Sequence, residues 1–389
     1  MIGFVVNPAS GNGRGRYVWR QLEEVLQNRE VPYLVRFTTG RQDAEQFAME
    51  WAIDSSEVTI IVAVGGDGTV HEVANGLYRV KAVAQATSVT SVNSATSATS
   101  ANPALLNKPL GHIPAGSGND YARGHQIPLQ PLLALEVILS RTLNIRCIDL
   151  IKMNDRIAVN SIGVGFDGRI ARVTNEASYK KLFNQLKLGR LSYVLSLVRV
   201  LLTYRTCSAT LAIDGKRSSA SKVWFIATAN IPFYGGGMKI CPQADPESGQ
   251  AEICIVSSIH RIELLRVFPK VYKGTHIHHK AISFYQGRII EIDAERPLDI
   301  HMDGEMAGTS PVTLEVLPAI LSIIVSQVVI KQYDVVRISK GDSEIGIIKG
   351  QVGTILEVHN DYHFEVEICD SDGFTLFLGT LSRDCLEPI

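Results

Sequence analysis

The sequence predicts an α/β domain with helices around a parallel sheet, then a mainly antiparallel β-sandwich domain, then a small C-terminal β-barrel. Three observations support this order. Short β-branched runs alternate with helical patterns near the start, strand-like runs at hairpin spacing follow from about residue 143, and glycines separate the last short strands. We therefore predict domains over residues 1–128, 129–325 and 331–389.

The first domain is predicted from alternating patterns. They indicate strands over 2–6, 33–37, 58–64 and 109–114, and helices over 17–28, 43–52 and 70–79. Residues 82–104 break the alternation, because they are almost entirely Ala, Ser, Thr, Val and Asn and offer little apolar bulk. We interpret this segment as a disordered surface insertion.

The second domain is predicted from strand patterns over 145–152, 156–162, 207–213, 222–229, 250–256 and 281–294. An amphipathic helix is predicted over 186–204, and packing against the sheet is favoured for it over a membrane-facing surface. From Lys331 onward the chain carries 5 basic and 11 acidic side chains, whereas the preceding part carries 33 and 28. This change of charge supports a separate C-terminal domain.

The composition argues against several classes of protein. With 38 Lys plus Arg against 39 Asp plus Glu, the chain has no basic excess for binding nucleic acid. None of the six cysteines forms a C-x-x-C pair, which favours a reduced, cytoplasmic protein over a zinc or redox site. No stretch approaches the ~20 apolar residues of a membrane-spanning helix, so we expect any membrane contact to be peripheral.

Three glycine-rich turns, each between a predicted strand and a predicted helix, carry the chemistry. The first contains Asn7, Pro8, Ser10 and Gly11. Glycines let backbone N–H groups approach an anion, and the N-terminus of the following helix adds partial positive charge. By itself, this turn is as consistent with a plain connection as with phosphate binding.

The second turn is the sharpest local signal. It consists of Gly65, Gly66, Asp67, Gly68 and Thr69. Three glycines around one acid exceed what a structural turn needs, whereas an Asp among exposed N–H groups can organise Mg²⁺ beside a triphosphate. Helical spacing puts Glu72 and Asn75 on the same face as this turn, so both join the candidate nucleotide-binding residues.

The third turn also consists of glycines between a predicted strand and a predicted helix. It contains Gly116, Ser117, Gly118, Asn119 and Asp120. Helix capping would explain Asn119 or Asp120 alone but not the whole run. The carboxyl ends of parallel strands meet at one edge of a sheet, so we expect the three turns to line one crevice. We predict that ATP binds there, with Mg²⁺ at Asp67 and Asp120 as a second candidate ligand.

A distant acidic turn completes the candidate site. Asp303, Gly304 and Glu305 follow a predicted strand, and such a turn is more often a solvated hairpin than a catalytic element. If the second domain folds over the first, one of the two carboxylates can accept the proton of an attacking hydroxyl.

Together, the three glycine-rich turns and the acidic turn resemble the motifs of the catalytic family of diacylglycerol kinases, which includes bacterial lipid kinases and sphingosine kinases. The resemblance implies that Thr38 contacts the nucleotide, that Glu305 is the general base and that Asp303 is a supporting acid. A second-domain loop of bacterial members is similar to the run Tyr234, Gly235, Gly236, Gly237 and Met238, followed by Pro242 and Ala244. Bacterial relatives carry Asp-Gly and a structural magnesium where this chain has Ser248 and Gly249, a departure from the family at that metal site.

The resemblance implies transfer of the γ-phosphate of ATP, with Mg²⁺, to the hydroxyl of a diacylglycerol-like lipid at the inner membrane face. Two alternatives stay open. One is a kinase of a soluble nucleotide such as NAD, which shares a Gly-Gly-Asp-Gly-like turn; the other is a non-catalytic regulator that senses ATP. The segment after Tyr333 resembles small bacterial SH3-like domains, for which we expect a protein partner.

Overall fold

The computed structural model of the chain describes residues 1–54, 57–90, 108–176, 199–326, 330–342, 345–359, 363–370 and 372–388. The chain divides into two units, Met1–Val325 and Ser326–Ile389. The boundary that we predict near residue 128 stays a prediction, since one continuous sheet passes through the first unit. Most of the predicted helix over 186–204 lies outside the described residues, and residues 199–203 are helical.

The first part of this unit alternates strands and helices around a parallel sheet, which confirms the predicted α/β class. Its strands are β1 (Ile2–Val6), β2 (Tyr33–Phe37), β3 (Ile60–Gly65) and β4 (Leu110–Pro114). Its helices are α1 (Ser10–Asn28), α2 (Asp43–Asp54), α3 (Asp67–Thr90), α4 (Asp120–Gly124) and α5 (Pro131–Ile138). The four strands lie parallel in the order β2-β1-β3-β4.

The strands β1, β3 and β4 end at the same edge of the sheet. Their sequences are almost continuously apolar and nearly every residue in them is buried, as expected for parallel strands covered on both faces. In the register, Val6 lies beside Val64 and Gly65 lies beside Pro114. The three glycine-rich turns therefore begin side by side.

Helix α3 is longer than the sequence pattern predicts. It continues to Thr90, so residues 82–90 are helical and do not start a disordered insertion, while residues 91–104 lie outside the described part of the chain. The segment contains Ala82, Ala84 and Ala86, and alanine has the highest intrinsic helix propensity, which explains the extension.

The second part of the unit is mainly antiparallel, as predicted. Its strands are β5 (Asn144–Met153), β6 (Arg156–Ala158), β7 (Ser161–Gly165), β8 (Cys207–Ile213), β9 (Lys216–Ala229), β10 (Phe233–Tyr234), β11 (Met238–Lys239), β12 (Ala251–Ser257), β13 (Ile282–Gly287), β14 (Ile289–Ala294), β15 (Asp299–Met302), β16 (Glu305–Thr309) and β17 (Val312–Val325). In the described ranges they are accompanied by helices α6 (Phe166–Glu176) and α7 (Arg261–Lys273), besides the helical residues 199–203. Strand β17 pairs antiparallel with β5 and β14 and parallel with β4, so it joins both parts into one sheet.

The C-terminal unit is a curled sheet of five antiparallel strands. They are β18 (Val335–Ile338), β19 (Val352–Val358), β20 (His363–Cys369), β21 (Thr375–Ser382) and β22 (Leu386–Pro388), in the order β21-β20-β19-β18-β22. Val336, Ile355, Phe364 and Val366 form its own small core. In the part of the chain that the structure describes, β21 and β22 remain edges, so the predicted barrel is a half-barrel.

Helices α2 and α3 pack closely because Gly76 has no side chain. A Cβ at Gly76 would collide with the backbone oxygen of Glu45 and lie 3.0 Å from the Cβ of Ala48. This contact fixes α3, and with it the second glycine turn, against α2.

We expect Gly76→Ala to lower the melting temperature. In an open helix interior, this change stabilises by roughly 0.5–1 kcal/mol, but here the added methyl must push the backbone of α2 away. Thermal unfolding followed by circular dichroism measures the effect. Gly68→Ala in the same helix is the control, because its Cβ would meet no atom within 4 Å. Equal melting temperatures for the two variants would contradict this account of the packing.

Candidate active site

The three glycine turns contact one another through their backbones. A Cβ at Gly66 would lie 3.0 Å from the Cα of Gly116, and a Cβ at Gly116 would collide with the Cα of Gly66. A Cβ at Gly11, whose φ is 57°, would lie 2.5 Å from the backbone oxygen of Ala115. No residue with a side chain fits these positions, so the glycines are needed for the turns to meet.

Polar side chains fix the shape of the turns. The amide Nδ2 of Asn7 donates to the hydroxyl of buried Thr69 at 3.2 Å, which ties the first turn to the second. The side chain of Asn119 accepts from the backbone N–H of Gly116 and donates to its carbonyl, at 3.0 and 3.2 Å. Asn119 therefore stabilises the third turn from within, instead of pointing at a ligand.

Two carboxylates lie behind the turns and share one small space. Asp67 accepts from the backbone N–H of Tyr121 at 2.8 Å, and Asp120 accepts from the N–H groups of Gly236 and Gly237 at 2.7 and 2.6 Å. A Cβ at Gly118 would lie 3.1 Å from Oδ2 of Asp67 and 3.6 Å from Oδ2 of Asp120. Burial, together with the charge of Asp67, raises the pKa of Asp120 to about 6.

These two carboxylates fit Mg²⁺ held jointly with a nucleotide. Mg²⁺ in phosphoryl-transfer sites usually takes one or two protein carboxylates and completes its shell with phosphate oxygens and water. A cation would offset both causes of the raised pKa of Asp120, its burial and the negative charge of Asp67. Within the described ranges, no cluster of three or more His, Cys, Asp or Glu side chains forms a protein-only metal site.

A cleft with a volume of about 660 Å³ opens next to the turns. The α/β part contributes the predicted residues Asn7, Ser10, Thr38, Gly66, Gly68, Thr69 and Glu72 to its wall. The β part contributes Glu305 from the β15–β16 hairpin and residues 153–156 from the β5–β6 hairpin. The structure thus brings Glu305 into the same cleft as the glycines that flank Asp67.

Glu305 is open to a substrate. Its carboxylate is half exposed and lies 3.4 Å from the guanidinium of Arg41, which follows β2 and is largely exposed itself. An exposed ion pair of this kind contributes ~0–1 kcal/mol, so either partner can be exchanged for a ligand.

Asp303, predicted as a supporting acid, is a buried anchor. Its side chain has no solvent exposure, and its carboxylate accepts from the backbone N–H groups of Val159, Asn160 and Ser161 at 2.8–2.9 Å. It also accepts from Nδ1 of His71 at 2.8 Å. Asp303 therefore fixes the hairpin that carries Glu305 against α3 and does not reach a ligand.

Several other predicted residues also lie outside the wall of the cleft. Asn75 is fully buried, and its amide bonds the backbone N–H and carbonyl of Ile157 at 3.1 and 3.0 Å, so it joins α3 to β6 instead of contacting a nucleotide. Ser117 is exposed on the third turn. The remaining ones lie in the turns behind the wall: Pro8, Gly11, Gly65, Asp67, Gly116, Asn119 and Asp120.

Among the residues of the cleft wall that sequence reasoning missed are Arg41, His71 and Arg156. His71 is buried between Asp303 and Arg156, whose guanidinium is 3.5 Å from its Nε2 and 3.0 Å from buried Glu45. The signal for His71 was available, because it lies four residues after Asp67 and so on the same helical face. Nothing in the sequence indicates that Arg41 or Arg156 reaches the cleft.

The loop at Ser248 does not fit a metal site. The hydroxyl of Ser248 donates to the carbonyl of Asp245 at 2.8 Å, and the backbone N–H of Gly249 donates to Asp149 at 2.6 Å. Because Ser248 offers a hydroxyl and no carboxylate ligand, we do not propose a structural magnesium site in this loop.

Comparisons with known proteins agree with this architecture. Residues 1–153 match the family described as diacylglycerol kinase catalytic domain, and residues 160–325 match the YegS C-terminal NAD kinase beta sandwich-like domain. Residues 332–388 match a domain of unknown function. A solved structure titled as a putative diacylglycerol kinase from Bacillus anthracis shares the fold with a TM-score of 0.65 at 22% identity, covering 84% of this chain and 95% of that one.

Two curated relatives come from Bacillus subtilis. "Putative lipid kinase YtlR" is 27% identical over 327 residues, which cover 82% of this chain and 98% of the relative. A diacylglycerol kinase is 28% identical over 313 residues, 79% of this chain and 90% of the relative. Residues 1–153 of this chain thus belong to the diacylglycerol kinase catalytic family, and residues 160–325 to the YegS C-terminal NAD kinase beta sandwich-like family.

Proposed function

We propose that the protein is an ATP-dependent lipid kinase, which transfers the γ-phosphate of ATP to the hydroxyl of a diacylglycerol-like membrane lipid. One observation carries the proposal. The three glycine turns contact one another, and the first two of them line a cleft whose wall also contains Glu305. The names of the two curated relatives support a lipid as the acceptor.

The turns provide the site for the triphosphate. Glycine lets backbone N–H groups approach phosphate oxygens, and the N-terminus of α3, which begins at Asp67 and whose Gly68 and Thr69 line the cleft, adds partial positive charge. Mg²⁺ held by Asp67 and Asp120 would neutralise phosphate charge as the bond to the leaving group breaks. Thr38 and Glu72 lie on the wall of the same cleft, and in this proposal they contact the rest of the nucleotide.

Glu305 acts as the general base in this proposal. The lipid hydroxyl attacks the γ-phosphorus, a new O–P bond forms, and the bond from the γ-phosphorus to the bridging oxygen of ADP breaks. The hydroxyl proton passes to the carboxylate of Glu305. Positioning of the two substrates in the cleft supplies much of the remaining acceleration.

We expect Glu305→Gln and Asp67→Asn each to lower kcat for phosphate transfer by at least about 100-fold, because a general base or a charge-organising carboxylate is lost. Transfer of label from γ-labelled ATP into diacylglycerol in detergent micelles measures this. Glu315→Gln on β17 is a matched control, since it removes a carboxylate that does not line the cleft. Full activity of Asp67→Asn would exclude the proposed site.

The same label distinguishes the alternatives. The match of residues 160–325 to a β-sandwich domain like that of NAD kinases keeps a soluble acceptor in view. Label in a lipid extract supports the lipid kinase, and label in NAD instead supports a soluble-nucleotide kinase. Binding of ATP with no labelled product in either arm supports a regulator and would refute the lipid kinase.

Asp303→Asn is expected to destabilise the first unit by about 1.5–3 kcal/mol, because an amide cannot replace a carboxylate that accepts four hydrogen bonds in a buried place. Glu305→Gln, on the same hairpin but exposed, is the control and should leave the melting temperature unchanged. If Asp303→Asn keeps the wild-type melting temperature and loses only kcat, then Asp303 acts directly in the reaction and the anchoring account is wrong.

A further inference from the structure

Helix α7 carries apolar residues on two faces, and within the described part of the chain only one of them is covered. Val267 and Val271 are buried in the apolar cluster that also contains Met238. The opposite face exposes Ile262, Leu265 and Tyr272, which are 67%, 51% and 50% exposed. With exposed Pro269, they form a stripe with the spacing i, i+3, i+7 and i+10, which is one side of a helix.

Basic residues border this stripe. Arg266, Lys270 and Lys273 are exposed beside it along the helix. The single acidic residue of α7, Glu263, lies 3.3 Å from His279 and is turned away from the stripe. The outer face of α7 is therefore apolar along one half and positively charged along the other.

A further exposed apolar side chain, outside the helix, lies beside the start of α7. The guanidinium of Arg261 donates to the carbonyls of Leu201 and Tyr204 at 2.9 and 2.8 Å, which fixes residues 201–204 against the helix. Between them, Leu202 is 68% exposed. The apolar surface thus extends beyond one helix.

We infer that this surface, made of the outer face of α7 and Leu202, docks the protein on an anionic lipid bilayer. Apolar side chains beside lysines and arginines are typical of helices that lie in the membrane interface, where the chains enter the headgroup region and the cations meet anionic lipids. The positive border selects an anionic surface over a neutral one. No helix in the described ranges is long and apolar enough to cross a bilayer.

The position of α7 connects this surface to the candidate active site. The helix packs on Met238 of β11, and the loop before that strand contributes Gly236 and Gly237, which donate to Asp120. The relevance of docking to catalysis rests on the proposed function, whereas docking itself does not require turnover.

Vesicle co-sedimentation of the full chain, without ATP, tests the inference. Phosphatidylcholine vesicles are compared with vesicles in which phosphatidylglycerol replaces part of the phosphatidylcholine, and the wild type should prefer the latter. Ile262→Ser combined with Leu265→Ser should weaken binding at least about tenfold, because two aliphatic side chains no longer leave water. Arg266→Gln combined with Lys270→Gln should weaken binding to the anionic vesicles roughly 30-fold.

Leu376→Ser combined with Leu378→Ser on β21 is the control, since those leucines are 58% and 57% exposed but lie in the C-terminal unit. The control should bind like the wild type. Equal binding by the α7 variants, or a wild type that binds neither vesicle, would overturn the inference. A third outcome would also overturn it: the wild type is a dimer that binds no vesicles, and the α7 variants are monomers. The surface would then join two copies of the chain.

Failure of the proposed function remains distinguishable. Micellar assays presenting the lipid in detergent do not require docking, so the α7 variants should keep their activity there. Vesicle binding that depends on α7 without any kinase activity would leave the inference intact and refute only the function. Lipid phosphorylation together with vesicle binding that does not depend on α7 would support the proposed function and refute the inference.

Discussion

The architecture of the site depends on the direct contact of backbones at Gly66 and Gly116. Three strands of a parallel sheet end in register, but side chains would keep the turns that follow them apart. With glycine at these positions, the turns close to within van der Waals distance, and the N-terminus of α3 is left facing the space in front of them. The tight α2–α3 contact at Gly76 holds that helix in place. Backbone groups therefore form this end of the cleft, where we propose that the phosphates bind.

The other end of the cleft is built from side chains that the second part of the unit supplies. The buried carboxylate of Asp303 accepts hydrogen bonds from three backbone N–H groups and from the imidazole of His71. These bonds link the β15–β16 hairpin to the start of β7 and to α3. Because the anchor is buried and fully hydrogen-bonded, the neighbouring Glu305 can be exposed without becoming poorly positioned. The two carboxylates of this turn therefore differ, because Asp303 is a buried structural anchor and Glu305 is exposed in the cleft.

A similar division separates the two groups of charged residues around the cleft. Glu45, Arg79, Arg156 and His71 form a network beneath it, with Glu45 buried between the two arginines. A buried carboxylate without such partners would be costly. Arg41 and Glu305 lie at the opening, where water screens their attraction and a substrate can replace it. The network around Glu45 thus stabilises the structure beneath the cleft, whereas the exposed pair of Arg41 and Glu305 lies at its opening.

The sequence by itself determined the α/β class, the change to antiparallel strands and the three glycine turns, because these follow from local periodicity and from the conformational freedom of glycine. Motif chemistry also brought Asp67 forward as a candidate, and the family resemblance singled out Glu305. Tertiary structure alone decided which polar residues of those motifs face the cleft. The side chains of Asn75 and Asp303 are hydrogen-bonded to chain segments far away in sequence, so they are not available to a ligand. Arg41 forms an ion pair with Glu305, which lies 264 positions later in the chain. Local patterns specify which hydrogen-bonding groups exist, whereas long-range packing specifies which of them are already satisfied.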